Sequence, residues 1–389
     1  MDCGADAVRR PLLSRRELLR QFARLACVGL GGGLLAERSS VAKPASSPLR
    51  VGVSLALSGR FASDAQKLHL GYRLWAEEVN RAEGLLGRPI QLIVYDDFSQ
   101  SEKSARNYVR LIREDRVDLL LGPYGSIPSS GAVPVIEEAG YPCVFPMAAN
   151  PRIWAGGRKW SVQMIPPAPN FMDGVAELLA TAGMRTLAIV FSDTGIARDV
   201  ASGLSTRWRA LGGEVVFSGV YPMSDGEMGR LKEYYMQVQQ KRPDVVGHLR
   251  HGVGLLPILR MARDIGLEPK YFAWSEIDEV GWVELPRQLV ERMVGSVMWL
   301  PQMRFPGNRQ FVKRFTERFV RSSAPDQITQ LLDHHPPAGY AAGQLMEMAV
   351  QKAGSFNRVG IRDALFEMKA ETVFGRYQVD ARGAQVGKI

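Results

Sequence analysis

Cysteine is scarce. The 389 residues hold three, Cys3, Cys27 and Cys143, and two of them fall within the first 48 residues. One thiol beyond that point makes no internal disulfide, and no Cys/His group has zinc-site spacing. The His334-His335 pair reads as loop rather than metal ligand, and Cys143, among apolar residues of a predicted strand, reads as a small core residue. Catalytic signatures are also missing. There is no Gly-x-Ser-x-Gly elbow, no Gly-x-Gly-x-x-Gly after the first strand and no Walker A lysine. Nothing therefore calls for a cofactor. No apolar run reaches the ~20 unbroken residues that span a bilayer. Basic runs interleaved with aromatics are absent too, which leaves nucleic-acid binding without a footing. The net charge of +9 is modest, and residues 1–48 carry 8 Lys+Arg against 4 Asp+Glu, leaving 41 against 36 elsewhere.

A composition of 46% hydrophobic and 23% charged residues fits a soluble globular chain, and its length implies more than one domain. The first 47 residues read as an export leader: Arg15-Arg16, a mildly apolar stretch from Phe22 to Ala36, then small and polar residues around Ala42 to Ser47, where cleavage is expected. The paired arginines resemble a twin-arginine (Tat) signal, a route to the periplasm for folded proteins. Lipidation at Cys27 is the alternative, although Arg24 occupies a position where a lipobox is apolar. Beyond the leader, apolar runs bounded by Gly and Pro alternate with stretches of helical spacing. Strands are predicted at Leu49 to Leu57, Ile90 to Tyr95, Val117 to Leu121 and Tyr141 to Met147, with helices at Ala65 to Glu83, Glu102 to Arg113 and Ser126 to Ala139. After Pro166-Pro167-Ala168-Pro169 a second series begins: helices at Phe171 to Ala182, Ile196 to Leu211, Leu231 to Gln240 and Leu255 to Ile265, and strands at Thr186 to Phe191, Glu214 to Val220, Asp244 to Leu249 and Tyr271 to Trp274. Val294 to Pro301 returns to the first half, followed by helices at Phe311 to Ser322 and Tyr340 to Ala353 and a hairpin-like strand at Phe374 to Asp380. Alternation of this kind makes parallel sheets with helices on both faces.

The focal stretch is Val117 to Pro151. Gly122-Pro123 stops one strand, hydroxyl residues from Ser126 open a helix, Gly140 closes it, and the next strand runs into Ala148-Ala149-Asn150-Pro151. Two loops thus follow the carboxyl ends of neighbouring strands, where open α/β sheets bind small ligands. The free N–H groups at the helix start favour an anion such as a carboxylate. Ser126 adds a hydroxyl, unless it is simply a cap, and Ala148 and Ala149 let a ligand approach the backbone closely. Asp96-Asp97 suggests paired catalytic carboxylates, but a strand-end pair capping the following helix is the plainer reading.

This stretch resembles the periplasmic binding proteins of branched-chain amino-acid (Leu/Ile/Val-type) ABC importers. The shared pattern stands as Leu121-Gly122-Pro123, Ser126, Glu137-Glu138-Ala139-Gly140-Tyr141-Pro142 and Ala148-Ala149-Asn150-Pro151, with Ser58-Gly59, Gly71 and Tyr340-Ala341-Ala342 as further matches. The resemblance implies two doubly wound α/β lobes joined by a three-strand hinge, the type I periplasmic binding fold. Residues 48–168 with 300–371 would form one lobe and 169–299 with 372–389 the other. The sequence ends at Ile389, earlier than the resemblance implies, so a closing strand is expected to be missing or displaced. Function follows by the same implication: a monomer that binds a small polar or carboxylate solute between its lobes, closes on it, and docks on a permease. In the second lobe the resemblance maps ligand contacts onto His251 and Glu276, with Glu276, or Asp278 if the register is off by two, receiving an ammonium. The chain departs from the family at Ala149, where a hydroxyl residue is usual, and at Ile196-Ala197 and His251, where aromatics are. A lost donor can alter selectivity greatly. The ligand is therefore expected not to be simply leucine, isoleucine or valine; an amide, a urea-like solute or an aromatic or organic acid stays open. A periplasmic ligand sensor of the same fold and an α/β enzyme using Asp96-Asp97 or Glu276 are the alternatives.

Overall fold

The computed structural model describes residues 47–223, 227–249, 255–275, 290–320 and 331–386. Residues 1–46, all but the last of the 47 read above as an export leader, lie outside them.

The first half is built from β1 (Leu49–Leu55), α1 (Ala62–Arg81), β2 (Ile90–Asp96), α2 (Ser101–Arg113), β3 (Leu119–Leu121), α3 (Ser126–Ala139), β4 (Cys143–Phe145), α4 (Pro151–Trp154) and β5 (Ser161–Gln163). Its strands pair in parallel in the order β2-β1-β3-β4-β5. Strand β3 is three leucines, all fully buried. A central parallel strand is covered on both faces, so a continuous apolar run is what it requires. It starts two residues later than the run in the sequence. The Asp118 carboxylate, which would otherwise lie in the strand, accepts from Arg50 N (2.8 Å) and from the Arg88 guanidinium (3.1 and 3.2 Å).

A short 3₁₀ turn, Ala168–Asn170, and α5 (Asp173–Thr181) replace the single helix expected from Phe171. Then come β6 (Thr186–Ser192), α6 (Gly195–Ala210), β7 (Glu214–Tyr221), α7 (Glu227–Lys241), β8 (Val245–Leu249), α8 (Leu255–Asp264), β9 (Tyr271–Trp274) and β10 (Met293–Gly295). They form a second parallel sheet, ordered β10-β9-β8-β6-β7. Ranked by position within their own half, the strands of both sheets have the order 2-1-3-4-5. Each sheet therefore reverses its winding once, between β1 and β3 and between β6 and β8.

The chain then supplies α9 (Asn308–Phe319), α10 (His335–Ala353), α11 (Arg358–Glu367) and the antiparallel pair β11 (Ala370–Thr372) and β12 (Gly375–Tyr377). Helix α10 lies against α1, and glycines make the approach possible: Gly71 of α1 and Gly339 of α10 each face backbone of the other helix. The carboxyl-terminal segment corrects one expectation. Residues 372–389 were assigned to the second half, but Gln163 N donates to Gly383 O (2.7 Å), Arg158 N to Arg382 O (3.0 Å) and Gln385 N to Gln163 Oε1 (3.3 Å). Ala384 packs into the core beneath α2 and α3. The free edge of β5 attracts this segment because its N–H groups need acceptors.

Candidate functional site

The switch point of the first sheet gathers the loops that follow β1, β2, β3 and β4. Asp96 and Asp97 tie the first two together. Asp96 accepts from Ser58 Oγ (2.7 Å), Ser58 N (3.2 Å) and Phe98 N (2.9 Å). Asp97 accepts from Ser54 Oγ (3.1 Å) and Ser99 N (2.9 Å). Neither caps α2, whose N-cap residue is Gln100 without a side-chain bond. Asp96 thus clasps the loop after β1, while Asp97 joins its own loop to strand β1 through Ser54.

Ser126 is the first residue of α3. The N-cap is Gly125 at φ 81, a left-handed position that suits glycine, and no side chain caps the helix. Ser126 is thus not the cap. Its hydroxyl accepts from Asn150 N at 3.1 Å and joins the loop after β3 to the loop after β4. Ala148 and Ala149 are buried there. Ala148 O accepts from Trp154 Nε1 and Gln163 Nε2 (both 2.9 Å), and Ala149 O accepts from Ala168 N (2.9 Å) on the passage into the second half. These carbonyls are engaged within the fold. The three predicted residues of the first half come together. His251 and Glu276 lie outside the described residues. The strands preceding them, β8 and β9, are adjacent and parallel. On β8, His248 is fully buried, held by the hydroxyls of Tyr221 (3.0 Å) and Tyr235 (2.6 Å) and stacked 4.4 Å from Trp274 of β9.

One group was not legible in the sequence. Tyr124, in the β3–α3 loop, places its hydroxyl 3.1 Å from Asp64 Oδ2 and 3.1 Å from His335 Nε2. His335 Nδ1 stands 2.9 Å from Asp333 Oδ1, and Lys67 Nζ 2.6 Å from Asp333 Oδ2. His335 opens α10 rather than lying in a loop. Burial, with His334 beside it, pushes the His335 imidazole below its ordinary range, against the pull of Asp333 and Asp64. Burial opposes ionisation of Asp333, but the His335 hydrogen bond and the neighbouring His335, His334 and Lys67 outweigh it and hold the carboxyl low. Asp333, His334 and His335 offer donor atoms within 4.8 Å of one another, as a cation site does. Lys67 already supplies the positive charge at Asp333, and both His335 ring nitrogens are engaged.

Cys143 is a buried free thiol whose pKa burial drives well up, so it is unreactive core. Surface grooves of about 390 and 510 Å³ lie away from the switch points. One is between α7 and α8 at Lys232 and Arg260, the other beside Trp75, Glu78 and Glu347 near the far end of α1.

Residues 48–388 match the profile of a family described as periplasmic binding protein. The chain is similar, at 22% identity over 378 residues (95% of this chain and 93% of the other), to a leucine-, isoleucine-, valine-, threonine- and alanine-binding protein of Pseudomonas aeruginosa. Its fold is similar to that of an ABC transporter substrate-binding protein from Desulfitobacterium hafniense in complex with Leu, with TM-score 0.72, 21% identity and coverage of 88% of this chain and 96% of that one. It is also similar to that of a solute-binding protein of an ABC transporter from R. palustris in complex with benzoate, with TM-score 0.67, 20% identity and coverage of 87% and 91%.

Proposed function

The chain belongs to the periplasmic binding protein family, and from that premise we propose that it is the exported solute-binding protein of an ABC importer, taking an amino acid or related small polar carboxylate between two lobes. The family is one of substrate-binding proteins rather than enzymes. The observation that carries the reading is the Ser126–Asn150 junction at the first sheet's switch point. A helix start, a hydroxyl and the N–H side of Ala148-Ala149 converge there, which suits a carboxylate. In this reading His251 and Glu276 supply the facing wall, and Glu276, or Asp278, receives an ammonium. Residues 48–168 with 300–371 move as one lobe and 169–299 as the other, closing by hinge bending. The closed monomer then docks on a permease.

Calorimetric titration with amino acids, amides and aromatic acids tests the ligand class. The departures at Ala149, Ile196-Ala197 and His251 argue for a solute other than leucine, isoleucine or valine, so tight leucine binding refutes that part. Replacing Ser126 with alanine should weaken binding about tenfold, equivalent to ~1.4 kcal/mol and in the range of one hydrogen bond to a charged group. An unchanged affinity would remove Ser126 from the site. Native mass spectrometry of protein from its own host should find a monomer with a co-purified solute; a stable dimer counts against the monomer. The Arg15-Arg16 pair supports export by the twin-arginine route. Replacing both with lysine should leave the protein in the cytoplasm, and undiminished export in a twin-arginine-deficient host would overturn that route.

A further inference from the structure

Four groups from three segments form one chain beside the first sheet's switch point. Asp333 Oδ1 is 2.9 Å from His335 Nδ1, His335 Nε2 is 3.1 Å from the Tyr124 hydroxyl, and that hydroxyl is 3.1 Å from Asp64 Oδ2. Three contacts need three hydrogens. Ionised carboxylates only accept, and a neutral imidazole brings one N–H. With that N–H on Nδ1, facing Asp333, the Tyr124 O–H serves either His335 Nε2 or Asp64, and one contact carries no hydrogen. A second proton on His335 completes the chain: Nδ1–H to Asp333, Nε2–H to the Tyr124 oxygen, Tyr124 O–H to Asp64. An N–H donor brought to Asp64 from outside completes it equally well, because Tyr124 then turns to Nε2. His335 and Tyr124 are each 5% exposed, so a contact left incomplete between these two is costly.

Charge favours the same two visitors. His335 faces Asp333 and His334 at the start of its own helix, Lys67 and Asp64 from α1, and Tyr124 from the β3–α3 loop. Lys67 offsets Asp333, which leaves Asp64 as the uncompensated charge of the group among the described residues. Asp64 stands half-buried in the first turn of α1, at the carboxyl end of β1.

We propose that His335 is a positioning residue that links solute binding to a proton, with an amide-bearing solute at Asp64 and a proton on His335 as alternative ways to complete one hydrogen-bonded chain. The proposal rests on the solute-binding reading of the cleft. Its sign is fixed. Binding favours neutral His335, so affinity is high at neutral pH, falls as pH drops through the His335 titration, and binding releases protons. Burial places that titration below the ordinary value of 6.5.

Two measurements test it. The first needs no solute: NMR titration of the His335 ring in the free protein. Tyr124→Phe removes the acceptor of Nε2–H without changing any charge, so the His335 pKa should fall. An unchanged titration in a folded variant overturns the proposal. The second is calorimetry at pH 7 and pH 5 in buffers of different ionisation enthalpy, with L-glutamine, L-asparagine and benzoate as probes. The two amino acids should bind severalfold more weakly at pH 5 than at pH 7 and release protons at pH 5, benzoate should do neither, and Tyr124→Phe and His335→Gln should abolish the dependence. Retention of the dependence in both variants overturns it. If no probe binds at either pH, the solute reading fails, and the NMR titration still decides for or against the switch.

Discussion

Gly71→Ala should destabilise the protein by about 3 kcal/mol, the upper end of what overpacking a closed interface costs. A Cβ at Gly71 would stand 2.0 Å from Pro336 O and 2.8 Å from Tyr340 N, and one at Gly339 would stand 2.2 Å from Leu68 O. The obstacles are backbone atoms on two helices, so no rotamer change can relieve them. Helices α1 and α10 must separate, which loosens Leu68, Tyr72 and Trp75 from Ala338, Ala342 and Leu345 in the shared core. Gly212 is the control. Its φ of 80 is left-handed, yet nothing lies within 4 Å of a Cβ there. Alanine at Gly212 bears backbone strain alone, about 1 kcal/mol. In urea, Gly71→Ala should lower the midpoint with the slope unchanged. Equal losses at the two positions would mean that the helices do not meet through Gly71. Since Pro336 adjoins His335, the same substitution should also perturb the His335–Tyr124 contact.

That crossing marks where the sequence stops being sufficient. Helix α3 was legible to its last residue, Ser126–Ala139, because its signals are local: Gly122-Pro123 ends a strand, and Gly140 adopts the left-handed C-cap at φ 67. The parallel sheets were legible from short apolar runs between helical periods. Helix α10 was placed five residues late. His335-Pro336-Pro337 looks like loop, yet proline suits a first helical turn, and Gly71 lets that turn dock. Asp96-Asp97 resembles a cap in sequence, but its carboxylates are taken by Ser58 in the loop after β1 and by Ser54 within β1. Tyr124 and His335 are 211 positions apart, and no periodicity announces a contact at that separation. Ser126, Ala148 and Ala149 could be grouped from the sequence because one βαβ unit carries them all. His251 and Glu276 rest on the family resemblance.

Asp97→Asn should raise stability at pH 7 by about 2 kcal/mol and remove one contribution to the pH dependence. Asp97 is fully buried, and among the described residues no cation pairs with it. Burial raises its pKa to about 6, with Asp96 adding to the effect and the bonds from Ser99 N and Ser54 Oγ opposing it. The folded state therefore holds the Asp97 proton between about pH 4 and pH 6, where the unfolded chain has released it. Wherever the folded state binds more protons, stability falls as pH rises, so this group costs most above pH 6. His69 and His335 act in the opposite sense. Both are held below the ordinary histidine range, His69 at about 4 by burial and Arg73, so stability gains from them as pH rises toward 6.5. The difference between native protein and variant, measured in urea at pH 4, 5, 6 and 7, isolates Asp97: it should be small at pH 4 and grow to its full value by pH 7. A difference independent of pH would show that the Asp97 carboxyl titrates normally. Asp97→Ala gives the contrasting sign. Ser99 sits at φ 61, and its N–H donates to Asp97 Oδ1. An amide keeps that acceptor and a methyl group does not, so alanine should destabilise the same loop that asparagine stabilises.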